Sequence, residues 1–222
     1  MKANYLVNIQ KCTTFLWIGG LMWFFNSFTY TSFVYLSLHG TYGFVWMIKE
    51  AAFPNKGISS TELDTMGIIV TSLLIFLPGY WTIALLAIRN TEEASAILIA
   101  TAIISYIIGI VVMMVSDCQT YWILKYRPGM LITEGMNRYV RHPNYSGGIL
   151  TYSSFCLLSR HWISWMIFFF VNIFIYYPAV LKKEKSLSRY PNWKEYKKMS
   201  GMYLPWIPSV INNVSIKSEK LN

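Results

Sequence analysis

The chain has 222 residues, is 55% hydrophobic and only 13% charged, and carries a formal net charge of +9. A soluble domain of this length needs more charge to cover its surface, whereas a chain surrounded by lipid does not, so the composition excludes an ordinary soluble domain and points to an integral membrane protein. No nucleic-acid partner is expected from the basic excess, which is better read as membrane topology.

In chain order, the first fifteen residues carry Lys2 and Lys11 but no small-residue cleavage site after a short apolar core, so no cleaved signal peptide is expected. Residues 5–25 predict a span interrupted by Lys11, whose long stem would snorkel to the interface. Residues 28–48 predict another, with His39 as its only ionisable group besides tyrosines. Residues 66–88 and 94–115 carry no charge, and each is long enough to cross a hydrocarbon core of about 30 Å as helix. They form a hairpin across "RNTEE", and Pro78-Gly79 predicts a kink in the first. After Gly148 the apolar pattern resumes, breaks at "SRHW" around Arg160 and His161, and runs on to Leu181, which predicts helices over 148–159 and 162–181. The first of these is only about 18 Å long at 1.5 Å per residue, so it starts earlier, tilts or turns back.

The predicted fold is therefore all-α, a polytopic membrane bundle of about six transmembrane or re-entrant helices. Six passes leave the amino terminus, the 49–65 loop, the 116–147 loop and the tail on one side, with every Lys and Arg except Arg89 and Arg160. By the positive-inside rule both termini are cytosolic, and the sequons at Asn144 and Asn213 stay unglycosylated. The division expected is 1–115 for the amino-terminal helices, 116–208 for a carboxy-terminal region with the polar motifs, and 209–222 for a disordered tail. Cys12, Cys118 and Cys156 are too few and scattered for a disulfide framework or a zinc site, and read as buried, reduced thiols. His39, His142 and His161 share no helix face, which excludes histidine-rich di-iron enzymes; no metal site is expected.

Three polar clusters fall on the basic side: "SDCQTYWILKYRPG" from Ser116, "RYVRHPNYSGG" over 138–148, and the tail "LKKEKSLSRYPNWKEYKKMSGMYLPWIP". A helix starting at Pro143 points its free N–H groups and positive dipole end at the loop, where an anion is favoured. Arg141 and His142 add charge and donors there, and Gly147 and Gly148 let a ligand or a neighbouring helix approach the backbone. The pattern suits a cofactor bearing phosphate or carboxylate. Basic residues at a membrane boundary are equally what topology and anionic head groups favour. Glu184 reads as a solvated charge among lysines, and Tyr190, Trp193 and Tyr196 read as interfacial aromatic anchors.

In combination, "SDCQ", "ITEGMNRYVRHPNYSG" and "KEKSLSRYPNWKEYKKMSGMYLPWIP" resemble the membrane proteins grouped with the steroid 5-alpha-reductase carboxy-terminal domain. They are more distantly similar to sterol C=C reductases and isoprenylcysteine carboxyl methyltransferases. The resemblance covers residues 116–208 and weakens over the amino-terminal helices. It implies NADPH bound on the cytosolic side between the last helices, with a lipid-like substrate entering from the bilayer. By motif, Asp117 would help hold the adenosine or ribose part, Arg138, Arg141, His142, Asn144, Tyr145 and Gly147 would line the cofactor, and Glu184, Tyr190 and Tyr196 would close its other side.

The activity implied is hydride transfer to a double bond conjugated to a carbonyl, which needs an acid on that carbonyl, dryness and near-attack geometry. In related reductases a glutamate follows the motif glycine; here that position is Gly148. Tyr152, one turn beyond on the same face, and Tyr145 are the alternative phenolic donors. Two other functions compete. One is a methyltransferase using S-adenosylmethionine, against which Arg127, Arg138, Arg141, Lys182, Lys183 and Lys185 lean. The other is a catalytically degenerate member serving with other subunits in a larger membrane complex. The family-based location is the endoplasmic reticulum, and the mitochondrial inner membrane fits the accessory reading.

Overall fold

A computed structural model describes residues 1–54 and 60–205. All regular structure among these is helical; besides it there are two isolated β-bridges, Lys2 with Glu62 and Val140 with Gly201. The helices are α1 (Ala3–Phe24), α2 (residues 30–52), α3 (residues 65–89), α4 (Ala96–Tyr126), α5 (Pro143–Ser159), α6 (Trp162–Leu187) and a short α7 (Trp193–Met199). The tail expected to be disordered, Asn213, and residues 55–59 of the expected 49–65 loop lie outside the described residues.

Local chemistry marks the helix ends. The side chains of Thr29, Asp64 and Ser95 accept from the backbone N–H three residues on, capping α2, α3 and α4. Glu93 reinforces the first of these caps: its carboxylate accepts from the Tyr30 and Thr31 amides at 2.8 and 3.0 Å and from the Thr31 hydroxyl at 2.8 Å. The α3–α4 turn is thereby tied to the start of α2. Helix α4 runs to Tyr126, well beyond the expected end at 115. Nothing in "SDCQTYWILKY" breaks a helix; the break comes at Arg127-Pro128-Gly129, where the pre-proline residue disfavours helix and Gly129 adopts φ +78°. Helix α5 starts at Pro143, earlier than the expected 148, and ends on Arg160 in the left-handed conformation, φ 51°.

Three stretches depart from regular α geometry into wider π-helical turns: Leu36–Gly40 in α2, Ser72–Thr82 in α3 and Asn172–Tyr176 in α6. The distortion expected at Pro78-Gly79 takes this form, a proline being unable to donate to the helix ladder.

The closest helix pair is α4 with α5. A Cβ added to Gly147 would lie 2.5 Å from the Gly109 carbonyl oxygen and 2.6 Å from the Met113 nitrogen, so two glycines allow the backbones to touch. Around this seam the core is aromatic: Tyr35, Phe155 and His39 are buried, with the His39 ring stacked on Phe155 at 4.1 Å. Helices α4 and α6 are long and apolar enough to cross a membrane. Large apolar side chains such as Leu16, Trp23, Ile97 and Phe174 point outward from the bundle.

Two expectations are corrected. Lys11 does not snorkel: it is buried, 3% exposed, and reaches inward to Tyr80 and Tyr152, because these phenols offer oxygen partners within its reach. The thiols are free, but only Cys156 is buried; Cys118 is half-buried and Cys12 lies on the outer flank of α1.

Candidate functional site

A cavity of about 410 Å³ opens at the end of the bundle where α2, α4 and α6 finish and α5 begins. Its walls come from Lys49 on α2, Asp117 and its neighbours on the same face of α4, the loop from Met130 to His142, Pro143 and Asn144 on α5, Lys183, Ser186 and Leu187 on α6, and Arg189, Tyr190 and Tyr196 beyond it. The volume lies in the range of small-molecule sites. Of the residues singled out in the sequence, Asp117, Arg141, His142, Asn144, Tyr190 and Tyr196 line this cavity.

Asp117 is held among cations. The Lys49 ammonium lies 3.6 Å from it and 3.8 Å from Glu50, and also 4.6 Å from the centroid of the Trp46 indole. The Asn144 side chain hydrogen-bonds the same carboxylate. Lys49 entered the sequence reading only as one positive charge among many, and its position at the end of an apolar helix was the sole signal for it.

Arg141 is a clamp. Its Nε donates to Glu184 Oε1 at 2.9 Å, and its Nη1 donates to the carbonyls of Ser200 and of Lys197, the latter at 3.3 Å. His142 Nε2 meets the same Glu184 oxygen at 2.8 Å, while Glu184 Oε2 is buried without a donor among the described residues. Glu184 is therefore no solvated charge among lysines; it ties α6 to the motif loop. Burial pushes the His142 imidazole below its ordinary range, against the upward pull of Glu184. The tail straps the same loop: the Arg141 and His142 amides donate to Gly201 and Met202 carbonyls at 2.8 and 3.1 Å, and Ser146 donates to the Tyr203 carbonyl. The Tyr196 hydroxyl donates to the Asn137 carbonyl at 2.6 Å, and burial raises its pKa to about 12.

Tyr145, Gly147, Arg138 and Glu184 do not line the cavity. The Tyr145 ring lies edge-on to Tyr176 with Lys183 above it, at 6.0 and 4.7 Å. Gly147 serves the α4–α5 contact, and Arg138 is exposed beside the Tyr139 ring. At the start of α5 the Tyr145 and Ser146 amides already donate to the His142 carbonyl, leaving anion binding there mainly to side chains.

Deeper in the bundle is a second polar group. Lys11 Nζ hydrogen-bonds the Tyr80 hydroxyl and, at 3.1 Å, the Tyr152 hydroxyl; the two phenols also bond each other. The Lys11 nitrogen lies 4.1 Å from the centroid of the Tyr42 ring and 5.4 Å from that of the Trp46 indole. Trp46 thus lies near both Lys49 of the cavity wall and Lys11 of the inner group. Tyr80 carried no sequence signal, and Lys11 carried one, a charge inside an apolar run.

No curated protein and no solved structure matches the chain. A family model matches residues 60–200, which hold α3 to α7 and most of the cavity wall but neither Lys49 nor Lys11. By that match the chain belongs to the family described as protein of unknown function (DUF1295), a family related to steroid 5-alpha-reductase-like proteins.

Proposed function

We propose that the protein is an NADPH-dependent membrane oxidoreductase that reduces a carbonyl-conjugated C=C bond of a steroid-like or other lipid. The observation that carries this reading is Tyr152 bonded to both Lys11 and Tyr80, a proton donor one helical turn from Gly148, with Trp46 near both Lys11 and Lys49 of the cavity wall. The six long helices, their apolar flanks and the clustering of cations at one end support a six-span bundle with both termini cytosolic, and the family relationship favours the endoplasmic reticulum.

The cavity suits a phosphate-bearing nucleotide. Lys49, Lys183 and Arg189 bring cations to its walls, Asp117 and Asn144 offer acceptors for hydroxyl groups, and Tyr190 offers an aromatic face. Bound NADPH would supply a hydride to the electron-poor carbon of the substrate. The chain's own part is the acid. As hydride adds, the C=C electron pair would move to the carbonyl oxygen; the Tyr152 hydroxyl would transfer its proton there, and Lys11, hydrogen-bonded to that phenol, would donate to the oxygen left behind. The resulting enol returns to the saturated ketone. Walls of tyrosine, histidine and phenylalanine exclude water.

Mass spectrometry of the cofactor retained by protein purified in mild detergent tests the reading. NADPH is expected; S-adenosylmethionine would point to a methyltransferase. A second reading, a catalytically degenerate subunit of a larger complex, is favoured by the Arg141–His142–Glu184 cluster, whose principal bonds are made within the chain. Co-purifying subunits with no retained nucleotide would be its outcome.

A further inference from the structure

We infer that the exposed lysines at the end of α6 and on α7 form a docking surface for the anionic phospholipid head groups of the membrane that α6 crosses. It rests on α6 as a membrane span and on no bound cofactor, so it stands apart from the reductase reading.

The end of α6 sets the depth. Helix α6 is long and apolar enough to cross a membrane, and Ile173, Phe174 and Leu181 carry its exposed apolar flank to within a turn and a half of its end. Lys182 and Lys185 follow, and at 1.5 Å per residue they lie within about 6 Å of Leu181 along the helix. That is head-group level, inside the screening length of about 8 Å at physiological salt. Helix α7 is held at the same end. Its Trp193 and Tyr196 are buried with Leu131, and Leu187 and Tyr190 pack against them. After α7 the Gly201 and Met202 carbonyls accept from the Arg141 and His142 amides, just before the start of α5. Tied to the end of α6 on one side and to the start of α5 on the other, α7 stays at the membrane-proximal end of the bundle.

Charge and exposure name the partner. With Trp193 and Tyr196 turned inward, Lys194, Lys197 and Lys198 are left exposed. Lys194 and Lys198 stand one turn apart on one face, a like-charge pair that disfavours an isolated helix. Among the described residues no carboxylate lies within ion-pair distance of Lys182, Lys185, Lys194, Lys197 or Lys198. Glu184, the acid nearest to the first two, is buried against Arg141 and His142. None of the five lysines lines the cavity, which takes Lys183 and Arg189 from this stretch instead. Met199 on α7 and Leu204 after it are exposed as well. Lysines mixed with exposed apolar side chains on a segment held at a bilayer surface suit anionic head groups lying over acyl carbons. A soluble anion would match the lysines and leave Met199 and Leu204 in water.

The test uses the full chain in lipid nanodiscs, with its three cysteines replaced and Met199→Cys carrying a bimane label. Acrylamide, an uncharged quencher, reports the access of water to that label in discs of phosphatidylcholine alone and in discs that also contain phosphatidylserine. Quenching is expected to fall at least about twofold with phosphatidylserine, since each lysine near an anionic surface favours docking by roughly fivefold. Salt at about 1 M, where the screening length is about 3 Å, should restore it. Combining Lys194→Gln, Lys197→Gln and Lys198→Gln should also restore it, and Lys182→Gln with Lys185→Gln should weaken the protection. Equal quenching in the two kinds of disc, or protection that persists in full in either variant, overturns the inference. So does protection by pyrophosphate in neutral discs equal to that by phosphatidylserine, which would assign the lysines to a soluble anion. A protein that retains no NADPH fails the reductase reading alone.

Discussion

A Cβ at Gly148 would meet open space, with nothing within 4 Å, although its neighbour Gly147 is wedged against α4. Positions 145, 148 and 152 share a helix face, so the gap lies between Tyr145 and Tyr152. Gly148→Ala should stabilise the protein by about 0.5–1 kcal/mol through helix propensity, seen as a higher Tm in detergent. Gly148→Glu should fold as well, and a gain in enone reduction would mark this gap as the place for a carboxyl acid. Lys11 makes the opposite point: a buried amino group that no carboxylate pairs with among the described residues is costly to desolvate, so Lys11→Met should leave Tm unchanged or raise it. A fall of several degrees would instead make Lys11 a structural residue. His142 sets a pH dependence. Its folded pKa is depressed by burial, so its contribution is whole above pH 6.5 and is lost as pH falls through the lower folded value. Melting curves between pH 7.5 and 5 should show this loss, and His142→Gln should flatten it.

Between elements, the α4–α5 seam positions both sites, because Asp117 and Asn144 lie at one end of it and Tyr152 further along. Gly147→Ala puts a methyl group into the Gly109 carbonyl, where backbone faces backbone and no side chain can yield. It should cost about 1–3 kcal/mol, against the gain at position 148, and the paired melts separate packing from propensity. The seam also shows what was legible in the sequence. Apolar runs gave the places of α1 to α6, and Pro143 and Arg127-Pro128-Gly129 mark real ends. A glycine pair, however, reads the same for a ligand as for a helix, and only the approach of α4 decides for the helix at Gly147. Lys11 was visible as a charge in the wrong place, but its partners sit 69 and 141 residues away, and no local pattern encodes them. Arg141 and Glu184 were visible as charges, yet their mutual bond depends on α6 returning to the motif loop.

Across the whole molecule, charge and depth are ordered together. Lys49, Arg141, Lys183 and Arg189 meet at one end around the cavity, while Arg89 and Arg160 sit at the other, where Arg160 donates to the Glu92 carbonyl. The donor-rich Lys11–Tyr80–Tyr152 group lies between these ends. If the bundle crosses the bilayer six times, the proposed nucleotide would reach the cavity from the cytosol and the proposed lipid substrate would enter from the side. That arrangement depends on the 90–95 turn and the 186–190 segment facing opposite compartments. A variant with its three cysteines replaced and one new cysteine at Glu92 or Ser188, both exposed, gives a direct measurement in sealed microsomes. A membrane-impermeant maleimide should label Ser188→Cys in intact vesicles and Glu92→Cys only after the membrane is opened. Labelling of both positions from one side would remove the six-span arrangement, and with it the separation of a cytosolic cofactor from a lipid entering within the bilayer.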